Sequence, residues 1–488
     1  MRWVALQSSP PPSLLDRILG RRVPLWLVAA IVLFFAIGTV VFAWYVKRAV
    51  VTEDKHPLAQ AAVKVASFPT DAKEVFVELR RLVSGTQHYT NIRAFPPDKM
   101  QSEFSPVRSS VTGVGEGLVV RWGPGTPAHG WRIIGGLLEV NGSLQNAAVL
   151  LSPDLEIVHY WPLVEDGSIG VEFEPSLRKV LHGLVMLRDG SVIYSFDNGA
   201  SLHRKDKCGR TLWAIPGGYH HTVTLDETES TVWALRTDNV AEGDEPSDTA
   251  NPAGDVKLVQ VATADGSILR EFSIADIISA NPEIDILELR RRHPPDLGGN
   301  DPGLTAEWLQ DPIHMNDVDP LPSRLADKFP MFSPGDLLIS AREINLLFVM
   351  DPATLKVKWW RIGATVRQHD PDWQPDGTLS VFNNRMGRGY SEITKIDPAT
   401  HTATVSVDGR AIDFYTRRRG GHQPLPDGGF LIASTQQGRI IEVAADGQLA
   451  LDFQNRTKDE RLAHTILSAG IFLPEAALKA GDFQCGEN

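Results

Sequence analysis

Five histidines recur along the middle of the chain, each at the start of a similar stretch of sequence: His182, His221, His314, His369 and His422. A neutral imidazole acts as a nucleophile or general base near pH 7, and an imidazolium donates a proton to a leaving oxygen. If each histidine precedes the innermost strand of a repeated sheet, the five rings meet at one end of a central channel. One such histidine is usually a turn residue, whereas five in the same phase indicate a site.

Two further residues near these histidines are suited to an anionic group. Asn316 follows His314 by two residues, and Arg342 ends the apolar run GDLLISAR. The guanidinium of Arg342 presents a planar set of donors that fits sulfate, phosphate or carboxylate oxygens, and Asn316 adds a neutral donor. The combination predicts transfer of an anionic group through a covalent histidine intermediate.

Other chemistries have less support in the sequence. Asp370 and Asp372 beside His369 leave a metal-dependent hydrolase open as an alternative, although there is no HExxH motif. There is no P-loop, no dinucleotide-binding GxGxxG and no GxSxG motif, so we expect neither a nucleotide cofactor nor a serine nucleophile of the hydrolase type. A net charge of -12 argues against binding to nucleic acid. We therefore predict no metal, no cofactor and no nucleic-acid partner.

The stretches that follow the histidines indicate the elements that must position them. Apolar and polar residues alternate there around Asp-Gly and Asp-Pro-Ala turns, a pattern typical of β-hairpins. The histidines are 39, 93, 55 and 53 residues apart, against roughly 40–50 residues for a propeller blade. The longest interval holds an acidic loop (239–256) and a predicted helix (274–292). Residues 147–161 resemble the outer hairpin of a sixth unit, and 463–478 are expected to close the ring by pairing with the first blade. We predict an all-β fold, a six-bladed β-propeller, with a flat sandwich array as the alternative.

The N-terminal part contains a candidate membrane anchor. Leu25–Val46 is a run of 22 residues without a charge, long enough to cross the roughly 30 Å hydrocarbon core of a bilayer. A signal peptide is the alternative, but its apolar region is usually about 7–15 residues, so we favour an uncleaved anchor. Four arginines precede the run and three basic residues follow it, which slightly favours a cytoplasmic N-terminus and a periplasmic main body. The predicted domains are a cytoplasmic tail (1–24), the transmembrane anchor (25–46), a short, partly helical linker (47–125) and the propeller (126–480).

Several strings resemble a known family. DPIHMNDVDPL, GDLLISARE, LLFVMDPATLKVKWW, QHDPDWQPDGTLSVFNN and ITKIDPAT occur in this order, with KDKCGRTLW and HHT upstream. Over about residues 175–455 the sequence resembles the arylsulfotransferase (arylsulfate sulfotransferase) family. The resemblance implies a six-bladed propeller with its active site at the central channel. It also implies transfer of a sulfuryl group from a phenolic sulfate ester to a phenolic acceptor, by ping-pong kinetics and without a nucleotide donor.

The resemblance also implies roles for individual residues. His369 matches the transient sulfohistidine, and His314 and one of His220 and His221, with His221 preferred, complete the catalytic set. Arg342 and Asn316 match residues that bind the substrate, and His422 falls in the unit that also lines the family's site and is predicted to bind substrate as well. The sequence departs from the family at Thr222, where many members have an acidic residue, and it lacks the close cysteine pair of some members.

Two questions stay open at this point. The pairing of Cys208 with Cys485 is undecided by the sequence. The alternative function is a catalytically silent, membrane-anchored propeller that binds an anionic ligand or a partner protein.

Overall fold

A computed structural model describes most of the chain: residues 24–51, short segments between 56 and 66, 103–164, 180–197, 201–237, 256–288, 313–456, 465–479, 481–483 and 485. The chain divides into two compact units, residues 1–85 with 294–305 and residues 86–293 with 306–488. Residues 1–23 of the predicted cytoplasmic tail, 67–102 of the predicted linker and 239–255 of the acidic loop lie outside the described residues.

The first unit contains one long helix, α1 (Leu25–Val51). At about 1.5 Å per residue, its 27 residues extend about 40 Å. Residues Leu25–Arg48 are apolar enough to cross a membrane. Large apolar side chains such as Phe34 are exposed along it, as expected of a helix in contact with lipid. By length and composition, α1 is a candidate membrane anchor that continues about one turn beyond the predicted end.

The second unit is built from short strands. Six of them precede the first predicted histidine: β1 (Ser105–Pro106), β2 (Arg108–Ser109), β3 (Leu118–Trp122), β4 (Gly130–Val140), β5 (Ser143–Leu151) and β6 (Glu156–Pro162). Four blades of four strands follow, in which consecutive strands pair in antiparallel register. Blade 2 is β7 (Val180–Met186), β8 (Val192–Asp197), β9 (Ser201–Lys205) and β10 (Thr211–Pro216). Blade 3 is β11 (Gly218–Leu225), β12 (Thr231–Thr237), β13 (Val256–Ala262) and β14 (Ile268–Ser273).

A short helix, α2 (Ile274–Ala280), follows β14 and occupies the start of the helix predicted over 274–292. Ser273 caps it: its hydroxyl accepts from the Asp276 N–H, and the Asp276 carboxylate accepts from the Ser273 N–H. Beyond it, residues 286–288 form one 3₁₀ turn, and 289–312 lie outside the described part of the chain.

The remaining strands complete the ring. Blade 4 is β15 (Met315–Pro320), β16 (Leu337–Ala341), β17 (Leu346–Met350) and β18 (Val357–Ile362). Blade 5 is β19 (His369–Trp373), β20 (Leu379–Asn383), β21 (Glu392–Ile396) and β22 (Ala403–Asp408), followed by a single helical turn, α3 (Gly409–Ile412). The last strands are β23 (Gly421–Pro424), β24 (Phe430–Ser434), β25 (Arg439–Val443), β26 (Leu449–Asn455) and β27 (Leu467–Pro474).

Two sheets combine strands from opposite ends of the sequence. Blade 1 has the order β27-β4-β5-β6-β2, and blade 6 has the order β23-β24-β25-β26-β3-β1. The inner strands β7, β11, β15, β19, β23 and β27 neighbour one another in that order, and β27 returns to β7. The fold is therefore a six-bladed β-propeller, as predicted, and residues 463–478 close it as expected, because β27 pairs with β4. The propeller begins earlier than the predicted boundary at residue 126, because β3 pairs with β26.

Apolar packing between the blades holds the ring together. Each pair of neighbouring blades encloses a cluster of buried side chains, such as Phe382, Phe414 and Ile432 between blades 5 and 6. At the seam between blades 6 and 1, Arg132 of β4 and Glu442 of β25 form a buried ion pair with an Nη2–Oε2 distance of 2.7 Å. The blades thus form one frame around the channel.

A disulfide fastens the C-terminal tail to this frame. Cys208, in the turn between β9 and β10, is bonded to Cys485, with 5.7 Å between their Cα atoms. Just before Cys485, the ring of Phe483 packs against His159 and Trp161 of β6. The tail that follows β27 thereby connects blade 1 to the outer turn of blade 2.

Candidate active site

The inner strands of four consecutive blades each contain a β-bulge towards their N-terminal end. The antiparallel register shifts between Leu181 and Gly183, His220 and Val223, Met315 and Asp317, and His369 and Pro371. A bulge adds a residue to one strand and redirects its side chain, and bulges are common beside active sites. The added residues are His182, His221 with Thr222, Asn316, and Asp370. Predicted site residues thus lie in or next to each bulge from blade 3 to blade 5.

Backbone conformation marks the same region. His221, His314 and Asp370 have φ angles of 63°, 51° and 50°. Residues other than glycine cost of order 1 kcal/mol or more in the left-handed region, and such residues cluster at functional sites. Three of them in or directly before adjacent inner strands indicate that the frame holds these side chains in place.

The five repeated histidines do not occupy one common position in their blades. His314 precedes β15 and His369 is the first residue of β19, whereas His182, His221 and His422 lie inside β7, β11 and β23. The expectation that each histidine precedes the innermost strand is wrong for His182, His221 and His422, because β7, β11 and β23 begin one to three residues earlier. Four of the five nevertheless meet at the channel.

Three imidazoles, which we call the histidine cluster, pack edge to face across blades 2, 3 and 4. The ring centroids of His182 and His221 are 4.5 Å apart, and those of His221 and His314 are 4.8 Å apart. Gly183 allows this approach, since a Cβ there would lie 2.7 Å from the carbonyl oxygen of His221. His220 lies beside the cluster, 4.6 Å from His221 between ring centroids, and its Nδ1 contacts the carbonyl oxygen of Gly218 at 2.9 Å.

Backbone hydrogen bonds determine the tautomers within this cluster. The His221 N–H donates to Nδ1 of His182 at 3.2 Å, so that nitrogen carries a lone pair. A neutral His182 then has its proton on Nε2, which lies 3.3 Å from Nδ1 of His221. His221 therefore accepts through Nδ1 and keeps its own proton on Nε2.

His369 stands on the neighbouring blade with both ring nitrogens occupied. Its Nδ1 is 2.6 Å from Oδ1 of Asn384, and its Nε2 accepts from the backbone N–H of Arg419 at 3.2 Å. The side chain is buried, with the residue 4% exposed. The proton of the neutral ring is therefore on Nδ1, and the lone pair is on Nε2.

Burial and neighbouring charge keep the rings of His369 and His221 neutral, because they lower the pKa of both. Burial lowers the pKa of His369 well below its usual value, and the Arg342 guanidinium and the rings of His182 and His314 lower it further. Burial likewise lowers the pKa of His221, assisted by the other histidines around it. His369, Arg342 and the histidine cluster are thus close enough to act on one another.

Asn316 connects blade 4 to the segment that carries His369, and Arg342 is hydrogen-bonded to the backbone of His314. Arg342 directly follows β16, and its backbone N–H donates to the carbonyl oxygen of His314 at 3.0 Å. The Asn316 amide donates to the carbonyl oxygen of Gln368, the residue before His369, at 2.8 Å. The Arg342 side chain is 15% exposed and lies near Glu343, which also pairs with Arg367. The predicted anion-binding residues therefore border the histidine cluster, at His314, and the segment that carries His369.

A layer of aspartates follows along the inner strands, at Asp317 and Asp319 of β15 and Asp370 and Asp372 of β19. Burial, and the charge of Asp370, raise the pKa of Asp319 to about 8 and raise the pKa values of Asp317 and Asp372 well above their usual range.

His422 lies within this acidic layer. Its Nδ1 is 3.0 Å from Asp370, its Nε2 is 3.5 Å from Asp372, and Nε2 is 2.6 Å from the Ser380 hydroxyl. Asp370, Asp372 and His422 each offer a ligand atom within 4.8 Å of the others, a donor set that would suit a metal ion. Of the predicted site residues, His422 is thus the one whose described contacts are with the aspartates.

Two residues of the site were given no role by the sequence. His182 was one of the five repeated histidines, without an assigned function, and Asn384 was noted only as the last residue of the string QHDPDWQPDGTLSVFNN. His182 had a usable signal, because it begins its unit as His221 does. Asn384 had none, since its role depends on a residue 15 positions earlier and on carbonyls about 35 positions later.

The sequence model of the family described as Arylsulfotransferase (ASST) matches residues 183–456, more than half of the chain. The protein belongs to the arylsulfotransferase family. The matched region begins one residue after His182 and includes every other residue named for the site. No curated protein matches the sequence.

Similar solved structures share little sequence with this arylsulfotransferase family member. A protein of unknown function from Bacteroides caccae has 12% identity and a TM-score of 0.42, over 72% of this chain and 100% of that one. Virginiamycin B lyase from Staphylococcus aureus has 11% identity and a TM-score of 0.32, over 62% and 86% of the two chains. TolB from Acinetobacter baumannii has 10% identity and a TM-score of 0.39, over 72% and 69%. At these values the likenesses carry no argument about function.

Proposed function

We propose that the protein transfers a sulfuryl group from a phenolic sulfate ester to a phenolic acceptor through a sulfohistidine at His369, by ping-pong kinetics and without a nucleotide donor. The observation that carries the proposal is the neutral ring of His369, with its lone pair on Nε2 and Arg342 beside it. Covalent catalysis needs a nucleophile that is unprotonated at working pH, and burial supplies that here.

In the first half-reaction, Nε2 of His369 attacks the sulfur of the ester. The N–S bond forms, the bond between sulfur and the aryl oxygen breaks, and the phenolate leaves with the electron pair. Arg342 stabilises the negative charge on the sulfuryl oxygens, together with the second amide hydrogen of Asn316, the first being bonded to Gln368. The Nε2–H of His221 is available as a donor to an oxygen of the ester.

In the second half-reaction, the acceptor oxygen attacks the sulfur, and Nε2 leaves with the electrons of the N–S bond. A neutral imidazole of the histidine cluster takes the proton of the acceptor phenol. The first phenolate takes a proton from solvent, and the imidazolium formed in the second half-reaction returns one to solvent, so protons and charges balance over the full cycle. His422 stays a prediction as a substrate-binding residue, with the aspartates as its described partners.

The attacking lone pair is occupied in this structure. It accepts the backbone N–H of Arg419, a residue with a φ of 61° followed by Gly420 with a φ of 107°. The donor ester must therefore displace this N–H, which in the adduct is free to turn to a sulfuryl oxygen.

The test is phenol release from a chromogenic aryl sulfate, with and without a phenol acceptor, together with the intact mass of the trapped protein. We expect acceptor-dependent release and a sulfuryl adduct on His369. We expect His369→Ala to lose both while its circular dichroism stays unchanged, and His129→Ala, at an exposed histidine, to keep both. Normal turnover by His369→Ala would exclude the covalent route. A folded wild-type protein with neither release nor adduct across several donors would favour the anion-binding propeller instead.

We also propose that α1 anchors the protein in a membrane with its N-terminus in the cytoplasm and the propeller in the periplasm. The bonded pair Cys208–Cys485 supports this, because disulfides persist in oxidising compartments and are rare in the cytosol. Protease treatment of spheroplasts tests the topology: the propeller should be degraded without lysis. Protection of the propeller until lysis would reverse the orientation, and a chain cleaved after residue 46 would make α1 a signal sequence.

A further inference from the structure

We propose that Asn384 is a positioning residue for His369: it holds the imidazole proton on Nδ1, directs the sulfuryl group to Nε2 and keeps the adduct reactive. The direction of the sulfuryl group and the reactivity of the adduct rest on the proposed function. The position of the proton concerns the resting protein alone.

The orientation of the Asn384 amide is fixed by two backbone carbonyls. Its Nδ2 donates to the carbonyl oxygens of Thr416 at 3.0 Å and of Arg419 at 2.7 Å. A carbonyl oxygen only accepts, so the atom on the other side of the amide is Oδ1. That oxygen lies 2.6 Å from Nδ1 of His369 and can only accept as well.

Nδ1 of His369 must therefore be the donor in this contact. An independent contact agrees, because Nε2 accepts the N–H of Arg419 and so carries the lone pair. Asn384 is completely buried, and no water competes for its amide. The same amide ties the segment from Thr416 to Arg419 against the nucleophile, so ring tautomer and segment position are fixed together.

An amide and a carboxylate would act differently on the adduct. After attack by Nε2, the ring carries the sulfuryl group on Nε2 and the proton on Nδ1. An amide oxygen accepts that hydrogen bond but does not take the proton. The group that leaves in the second half-reaction is then a neutral imidazole. A carboxylate at this place would stabilise the positive charge of the sulfurylated ring and make Nε2 more basic, so the imidazole would become a poorer leaving group.

Among the described residues, the other groups that act on His369 are not hydrogen-bonded to its Nδ1. Arg342, after β16, is a cation, and His182 and His314, from β7 and the start of β15, are imidazoles. The one carboxylate adjacent in sequence, Asp370, accepts from the backbone N–H and Nδ1 of His422. Asn384 is thus the group that decides where the His369 proton resides.

The variant Asn384→Asp tests this with almost no change of shape. A matched control exists in Asn281→Asp, because Asn281 is also buried and its amide also donates to two carbonyls, those of Ile277 and Leu355, beside the outer strand β18. Both variants exchange a buried amide for a carboxyl group. Only the first should alter His369.

The first measurement is nitrogen NMR of the full chain labelled with ¹⁵N-histidine. The signals of His369 are assigned as those missing from the spectrum of His369→Gln. We expect the wild-type ring to be neutral with its proton on Nδ1. In Asn384→Asp the carboxylate should raise the pKa of His369 by about one unit or more, and Asn281→Asp should leave it unchanged. A wild-type proton on Nε2, or an unchanged pKa in Asn384→Asp, would overturn the inference.

The second measurement separates the two half-reactions by rapid mixing with a chromogenic aryl sulfate, then with acceptor. In Asn384→Asp we expect desulfurylation to slow at least about tenfold relative to sulfurylation, so that the adduct accumulates. A tenfold change is the effect of one unit in the pKa of the leaving imidazole when the rate follows that pKa fully. The wild-type adduct should be on Nε2. An adduct on Nδ1 would overturn the inference and leave the proposed function standing. The expected tautomer without any adduct would overturn the proposed function and leave the assignment of the proton standing.

Discussion

At the residue scale, the chemistry of the site depends on which nitrogen of each imidazole carries a proton. The backbone settles this for two rings, because the N–H groups of His221 and Arg419 can only donate. His221 therefore offers a proton at Nε2, and His369 offers a lone pair at Nε2. Two histidines that recur at the start of similar sequence units thus differ in protonation at Nε2, which the repeat pattern does not reveal.

The aspartate layer should make the stability of the protein fall as the pH rises. The carboxyl of Asp319 keeps its proton in the folded state up to about pH 8, whereas in the unfolded chain it loses it near pH 4. Between these values the folded state binds the extra proton, so the free energy of unfolding decreases with increasing pH. Asp319→Asn removes this cost. We expect the variant to match the wild type near pH 4 and to exceed it at pH 8 by more than about 1.4 kcal/mol, the equivalent of one pKa unit.

Thermal unfolding of the two proteins at pH 4, 6 and 8 measures this difference. Asp446→Asn, at an exposed turn, serves as the control and should follow the wild type at every pH. If Asp319→Asn shows the same pH slope as the wild type, Asp319 is not the group that holds the proton.

At the element scale, inner strands and bulges decide which predicted residues meet. The sequence pattern was sufficient to predict the blades, since each hairpin is local and its turns are explicit. It predicted β27 as well, because a spare strand after the last unit has one obvious partner. The pairing of β3 with β26 was not predictable, as Leu118 and Asn455 are far apart in sequence and LVVRW resembles any short strand. The bulges were equally hidden, because a shift of one residue leaves the alternating pattern almost unchanged.

The seam between blades 6 and 1 depends on a buried charge pair. Glu442→Ala leaves the Arg132 guanidinium buried without its partner, since Arg132 is 1% exposed. Breaking a buried ion pair from one side typically costs about 3–5 kcal/mol. We expect a loss of this size in the free energy of unfolding, read from denaturant titration followed by tryptophan fluorescence.

The matched control is Glu283→Ala, which breaks the exposed pair between Lys356 and Glu283. Exposed ion pairs contribute little, so the denaturation midpoint of this variant should stay at the wild-type value. Equal midpoints for the two variants would mean that the seam does not rely on Glu442.

At the scale of the whole molecule, the disulfide connects two places that are 277 residues apart in the chain. A crosslink over such a separation restricts the unfolded chain strongly and is typically worth about 2–5 kcal/mol. The double variant Cys208→Ser, Cys485→Ser should therefore lose that amount of unfolding free energy and unfold at a lower temperature. The site should be unaffected, because both cysteines lie outside the channel.

Scanning calorimetry with and without a reductant checks this. The wild type should lose stability on reduction, and the double variant should be indifferent to it. If the unfolding temperature of the wild type does not change with the reductant, the tail is held by the packing of Phe483 and not by the crosslink.

The closing strand of the ring has a consequence for how the molecule is made. β27 lines the channel in blade 1, yet it is the last strand along the chain, whereas its partner β4 is among the first. A nascent chain that emerges N-terminus first can therefore complete blades 2 to 5 while blade 1 still lacks its inner strand. The pairing of β3 with β26 can join the two ends of the ring earlier, but until residue 474 has emerged blade 1 lacks the strand that lines the channel. A chain released before β27 therefore has the histidines in a channel with one wall missing.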